Sequence, residues 1–393
     1  MTEVRSRSRP AAAPAAVQPV APTIATPAYN RGELAGVLKA VNKSHGEGII
    51  SRGNVKPVIE HIPTGIFALD MATFGGIPQG LVTLLYGWES SGKTTLSMKA
   101  IAGAQKKYPS KAVTVIDIEG TFDMNWARNG HGVDTDSLVY VSPSSGEQAL
   151  DIADGILRAE ETSLILVDSL AALIPTKELE KSFEDGVVGE QARLIGRFVR
   201  KVQQAVLEER RRGHAPAIIL VNQWRYKVGV MHGDPRTLPG GMAQHYVAGL
   251  KIDIKNKEKA GRDDRNIEVI DYNEHSFTIA KNKMGNGIRT GEFEMIRNPS
   301  HWLGPGFIDD AKTVVSYAIK MGLVGGSGGR YTFDGLPNET FRKYDDIAEY
   351  MYQDLDFFDA TKHRLISLQR IASGLEGTGW YVPESQQLLQ AAE

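Results

Sequence analysis

The tightest constraint on how this chain can fold lies at residues 81–95, where the apolar run Leu81-Val82-Thr83-Leu84-Leu85-Tyr86 breaks at Gly87. Trp88, Glu89, Ser90 and Ser91 separate it from Gly92, and Lys93-Thr94-Thr95 then opens a stretch of helix formers. Strand, glycine-bounded loop and helix follow in that order, which is the setting of a phosphate-binding loop. Ser90, Ser91 and Gly92 are small enough for successive backbone N–H groups to turn onto a triphosphate, and the helix N-terminus adds partial positive charge. Lys93 is placed to reach the β- and γ-phosphates, and the Thr94 hydroxyl to ligate Mg²⁺. ATP or GTP is the expected ligand.

Short apolar runs recur at 112–118, 138–141, 163–167 and 217–221, with helical patterns between them at 148–159 and 191–212. That rhythm predicts an α/β fold, a doubly wound and mainly parallel sheet that gathers ligands at the carboxyl ends of its strands. Runs 250–255 and 276–283 instead alternate apolar and polar residues around a charged turn at 257–265, so an antiparallel pair is expected at one edge, extended by 292–296.

Around this core, expected to span 58–299, the composition changes. Residues 1–28 are an Ala/Pro-rich leader of disordered character, with Arg5, Arg7 and Arg9 in it. Within 29–57, Leu34, Val37, Leu38 and Val41 recur at helical spacing, with Asn30 placed to cap the helix and Gly46 and Gly48 to end it, before an extended piece at 49–50. A small C-terminal domain is expected at 300–373, with helices at 311–321, 344–355 and 360–368, a glycine-rich stretch at 322–329 and a strand at 330–333. The tail 374–393 is expected to be flexible.

The chain has no Cys, which excludes disulfides, zinc thiolates and thiol catalysis. No apolar run reaches the ~18 residues of a membrane span, so a soluble protein is expected, and the N-terminus lacks a secretory pattern, so nothing argues for export. With a formal net charge of −2, nucleic-acid binding has to come from a local basic patch.

Strand ends supply the candidate chemistry. Asp168 closes Leu164-Ile165-Leu166-Val167, where a carboxylate orients Mg²⁺. Glu119 ends the neighbouring strand and is a candidate to polarise an attacking water, whereas alternation points Asp117 to the other face. Asn222-Gln223 offers amides that could sense a γ-phosphate. The loop 224–241 mixes Arg225, Lys227 and Arg236 with glycines and with Val228 and Met231, either of which could wedge between bases of a single strand. A second glycine-bearing loop, 183–191, leads into Arg193, Arg197 and Arg200 on one helix face.

These residues together resemble the RecA recombinases, including those of bacteriophages. The resemblance is carried by Glu89-Ser90-Ser91-Gly92-Lys93-Thr94-Thr95, Gly146-Glu147-Gln148-Ala149-Leu150, Val167-Asp168-Ser169-Leu170-Ala171-Ala172-Leu173, Asn222-Gln223, Lys227-Val228-Gly229-Val230-Met231 and Lys281-Asn282-Lys283. It implies an ATP- and Mg²⁺-dependent helical filament of many copies on single-stranded DNA that pairs it with homologous duplex DNA and exchanges strands in a bacterial or phage-infected cell. Single-strand-binding and loader proteins are implied partners. By position, Glu119 matches the water-activating glutamate, Gln223 the γ-phosphate sensor, and Lys281 and Lys283 a pair that reaches the neighbouring subunit's ATP. Gly87 and 89–95 match the nucleotide loop, Asp123 and Trp126 the adenine contacts, and Arg193, Arg200, Arg225, Lys227, Val228, Gly240 and Gly241 the DNA-binding loops. The helix from Leu34 resembles a polymerisation arm, and 300–373 a duplex-gathering domain. The chain departs from the family at Trp88, where Pro is usual, at His232 and His245, where Phe is usual, and at Gly196, which replaces a DNA-contacting Ser. Its terminal tail also lacks an acidic run. A ring helicase on the same core and a nucleotide-gated DNA-coating scaffold are the alternatives.

Overall fold

The computed structural model describes residues 33–46, 50, 59–179, 189–227, 233–373 and 375. Asn30, Gly48, Val228, Met231, His232, the loop at 183–188 and the tail beyond 375 lie outside the described residues. The chain divides into two units between Lys56 and Pro57. In the first, helix α1 (Glu33–His45) buries none of its residues and presents Leu34 and Val37 to solvent. Its Asn42 side chain brackets Ile50, donating to the carbonyl at 3.0 Å and accepting from the N–H at 2.9 Å.

The second unit is built on eight strands: β1 (Val82–Gly87), β2 (Ala112–Asp117), β3 (Leu138–Val141), β4 (Thr162–Asp168), β5 (Ala217–Gln223), β6 (Leu250–Arg262), β7 (Glu268–Asn282) and β8 (Thr290–Ile296). They lie in the order β8-β7-β6-β1-β5-β4-β2-β3. Pairings from β6 through β3 are parallel, and β6-β7 and β7-β8 are antiparallel. Parallel strands need helical crossovers and are therefore buried on both faces, which is why β1, β4 and β5 read as unbroken apolar runs. Alternate residues separate into two cores. Leu85, Val115, Leu166 and Ile219 face α2 (Phe67–Thr73) and α3 (Lys93–Lys107). Leu84, Ile116, Ile165 and Leu220 face α5 (Gly146–Leu157) and α6 (Glu190–Arg211). Between α3 and α5 lies α4 (Met124–His131).

The β6-β7 hairpin is longer than its alternation suggested. Residues 257–262 continue the strand rather than forming a charged turn: they pair with 268–274, and Lys259 and Glu274 meet across the two strands at 2.6 Å. The turn itself is Asp263 to Ile267, closed by the Asp263 carboxylate, which accepts from the N–H groups of Arg265 at 3.0 Å and Ile267 at 2.8 Å.

Residues 311–372 form α7 (Ala311–Lys320), strands β9 (Val324–Ser327), β10 (Arg330–Phe333) and β11 (Leu336–Phe341), and helices α8 (Tyr344–Gln353) and α9 (Leu355–Ala372). The glycine-rich stretch is thus partly a strand: Ser327 pairs with Arg330 across Gly328-Gly329, whose φ values of 62° and 81° suit a two-residue hairpin turn. Val314, Phe333, Phe341, Ile347, Phe358 and Leu365 form a third core, which also takes in Phe67 and Met71 of α2.

Candidate active site

The site assembles at the carboxyl ends of β1, β5, β4 and β2. Gly87 and Gly92 lie so close to β6 and β7 that a side chain is excluded at both. A Cβ on Gly87 would lie 2.3 Å from the Ile254 carbonyl oxygen, and one on Gly92, at φ 96°, 2.4 Å from the His275 ring. Lys93, at the start of α3, is 6% exposed. Its ammonium donates to the Trp88 carbonyl at 2.6 Å, with the Gly87 carbonyl and Ser91 hydroxyl at 3.5 Å. Burial depresses its pKa, and the carboxylates of Asp168, Glu119 and Glu89 oppose that shift. A buried lysine held by carbonyl dipoles is a strong attractor for phosphate oxygens.

Next to it, the Thr94 hydroxyl donates to Asp168 Oδ2 at 3.1 Å. Burial raises the Asp168 carboxyl to about 6, with Glu119 adding to the rise and the Thr94 bond opposing it. A hydroxyl and a carboxylate side by side are hard oxygen donors, and an anion destabilised by burial gains most from a cation; the pair fits Mg²⁺.

Glu119 is exposed beyond the end of β2. Its Oε1 accepts from the Gln223 amide at 2.8 Å and from the Ser169 hydroxyl in a short contact. Asp117 is turned inward, where it accepts from the N–H groups of Gly120 at 2.8 Å and Phe122 at 2.9 Å and from the Tyr140 hydroxyl at 2.9 Å. Asn222 and Gln223 part company. Asn222 is fully buried and donates to the Pro239 carbonyl at 2.9 Å and to Gln244 at 2.7 Å, so it braces the following loop and does not face Glu119.

That loop leaves the site as a hairpin in which Arg225–Tyr226 pairs with Arg236–Thr237. Arg225 donates to the Ala171 carbonyl at 3.4 Å, and Lys227 is exposed. Gly240, at φ 96°, packs so tightly that a Cβ would lie 2.3 Å from Ile195 Cγ2 of α6. Arg193, Arg197 and Arg200 are exposed on α6, Arg193 paired with Glu190 at 3.2 Å. Gly196 is buried beside the Arg200 guanidinium.

The model of the RecA N-terminal domain family matches residues 32–300. Protein RecA of Bifidobacterium breve is 38% identical over 308 residues, which cover 78% of this chain and 74% of that protein. Protein RecA of Kineococcus radiotolerans is 37% identical over 79% of this chain and 84% of its own length. The chain belongs to the RecA family. It is a recombinase and DNA-dependent ATPase of recombination and repair.

Within this RecA core, two site residues carry no local sequence signal. His275 of β7 lies under the nucleotide loop, its Nδ1 3.3 Å from the Ser91 carbonyl oxygen and its ring stacked on Phe293 at 4.8 Å; burial holds its pKa down at about 4. Gln244 ties Asn222 to the Pro239 and Gly241 carbonyls, at 2.6 and 3.2 Å. Lys281 donates to the His245 and Tyr246 carbonyls at 2.8 and 3.2 Å, and its pKa is lowered by burial first and then by Lys283 and Lys251. Lys283 is exposed. Asp123 caps α4, accepting from the Trp126 N–H at 2.9 Å, while the Trp126 ring meets His131 edge-on at 5.0 Å and lies 5.2 Å from the Arg297 guanidinium. Among the described residues, no helix is long and apolar enough to cross a membrane.

Proposed function

We propose that this chain, with ATP bound, polymerises as a helical filament on single-stranded DNA and there pairs it with homologous duplex and exchanges strands. The observation that carries this is the Gln223 amide on Glu119 at 2.8 Å, two residues before Arg225. One strand end thus holds the carboxylate that would activate water and starts the basic hairpin.

In this reading 87 and 89–95 cradle the triphosphate, with Asp123 and Trp126 against the adenine. Lys93 exchanges the Trp88 carbonyl for phosphate oxygens, and Thr94 and Asp168 hold Mg²⁺. Bound there, the ion would neutralise charge on the β- and γ-phosphates. Glu119 accepts the proton of the attacking water, and Gln223 reports the γ-phosphate to the hairpin. Lys281 and Lys283 supply positive charge to the ATP of the neighbouring copy, so turnover requires polymerisation. Arg193, Arg200, Arg225 and Lys227 neutralise DNA phosphates around Gly240 and Gly241, with Val228 between bases. The exposed Leu34 and Val37 of α1 suit an arm, 29–57, that docks on the next subunit. Core 58–299, small domain 300–373 and terminal segments 1–28 and 374–393 complete the arrangement, in a cytoplasmic protein with duplex DNA, single-strand-binding and loader proteins as partners.

ATP hydrolysis measured with and without single-stranded DNA, at low salt with Mg²⁺, tests this. DNA should raise the rate strongly, and DNA affinity should fall with salt at a log–log slope of about −0.7 per neutralised phosphate. A rate indifferent to DNA refutes the coupling.

A further inference from the structure

Among the described residues, the nucleotide loop and the basic hairpin meet through a backbone hydrogen bond and a ring contact. The Gly87 carbonyl accepts from the Trp224 N–H at 3.1 Å. One residue on, the Trp88 and Tyr226 rings lie 4.8 Å apart between centroids, tilted by 38°. Trp88 therefore faces both ways: its carbonyl takes the Lys93 ammonium at 2.6 Å, and its side chain holds the hairpin.

The two contacts differ in strength. Trp224 is locked, its Nε1–H donating to Asp253 at 3.2 Å, its ring edge-on to Tyr86 at 5.1 Å and covered by the Arg236 guanidinium at 5.1 Å. Tyr226 is 66% exposed and stacks on Trp88 at the surface. The outer contact can thus rearrange while the inner one keeps the strand end in place. A ring stack of this kind is comparable in energy to one base stacking on an aromatic side chain, so either ligand can shift it.

The geometry points to Trp88 as a positioning residue whose stack on Tyr226 makes nucleotide at the phosphate loop and single-stranded DNA at the hairpin strengthen each other's binding. This rests on the proposed function above. A triphosphate draws the Lys93 ammonium off the Trp88 carbonyl; Trp88 then resets, and Tyr226 moves with it. Linkage requires the effect to be reciprocal.

The test uses the full chain and a fluorescent oligo-dT, with binding followed by anisotropy with and without a non-hydrolysable ATP analogue and Mg²⁺. The quantity read is the ratio of the two dissociation constants. Trp88→Ala and Tyr226→Ala should each cut this ratio by roughly threefold to tenfold. The double variant should lose no more than either single, and Trp88→Phe and Tyr226→Phe should restore the ratio. The analogue's affinity, measured with and without the oligonucleotide, should change by the same factor. Because Tyr226 is largely exposed, its alanine variant tests the stack without threatening the fold. Ratios equal to wild type in both alanine variants, or losses that add in the double, overturn the latch and leave the proposed function standing. A wild-type ratio of one overturns both.

Discussion

Asp168→Asn should make the nucleotide-free protein more stable while disabling it. The Asp168 carboxyl is raised from 3.8 to about 6, burial being the main cause, so keeping it ionised inside the fold costs about 3 kcal/mol at about 1.4 kcal/mol per pH unit. The sign follows from proton binding. Between 3.8 and about 6 the folded protein holds the proton more tightly than the unfolded chain, so stability falls as pH rises through that window, and the full cost applies above it. Asparagine removes the charge but keeps an oxygen to accept from Thr94. At pH 7.5 the variant should therefore melt several degrees above wild type, at roughly 2 °C per kcal/mol for a large domain. At pH 4.5 the advantage should shrink to about 1 kcal/mol, since most wild-type molecules are then protonated at this site. Calorimetry across pH measures both. Mg²⁺ with ATP should raise the wild-type melting temperature by binding the native state and leave the variant's nearly unchanged. A variant no more stable than wild type at pH 7.5, or an advantage independent of pH, would refute the reasoning.

Lys283→Ala should lower DNA-stimulated turnover by roughly a hundredfold or more, the scale of losing a charge that stabilises a transition state, while nucleotide binding without DNA is kept. Intact turnover would sink the cross-subunit role. Gly240→Ala should destabilise the protein by about 1–3 kcal/mol, since the new Cβ meets Ile195 and φ is unfavourable for alanine. Adding Ile195→Ala should remove the steric share but not the backbone share. Equal losses in both backgrounds, seen in denaturant melts, would place the strain elsewhere.

What could be read in the sequence divides by the range of the contact. The parallel strands were legible because burial on both faces demands unbroken apolar runs. The placement of Lys93, Thr94 and Asp168 at one strand-end cluster was legible because each sits at a loop or strand end marked by local pattern, and Thr94 does meet Asp168 there at 3.1 Å. The outer half of the β6-β7 hairpin was not, since residues 257–262 are largely polar on both faces and their extension shows only in the cross-strand ladder to 268–274, with the Lys259–Glu274 ion pair across it. Strand β11, Leu336–Phe341, carries Pro337 and four polar or proline positions in a row, which hides it at the edge of a small sheet. His275 and Gln244 were invisible for a different reason. Each is an ordinary residue within its own segment, and its role exists only once β7 lies under the nucleotide loop or the 239–241 turn folds back over Asn222.

Asp117 and Glu119 show how short-range pattern and long-range structure combine. Alternation does not separate them: two residues apart, they would share one face of a continued strand. They part because the strand ends at Asp117 and the turn after it carries Glu119 outward. The inward one still serves the outward one. By accepting the N–H groups of Gly120 and Phe122, Asp117 shapes the turn from which Glu119 projects. Gly120, at φ 69°, lets the chain make that turn. The exposed carboxylate can then meet Gln223 only because β2 and β5 flank β4 in the sheet, an adjacency that strand order decides and no motif records. Periodicity assigns a side chain to a face; the order of strands decides what it meets there.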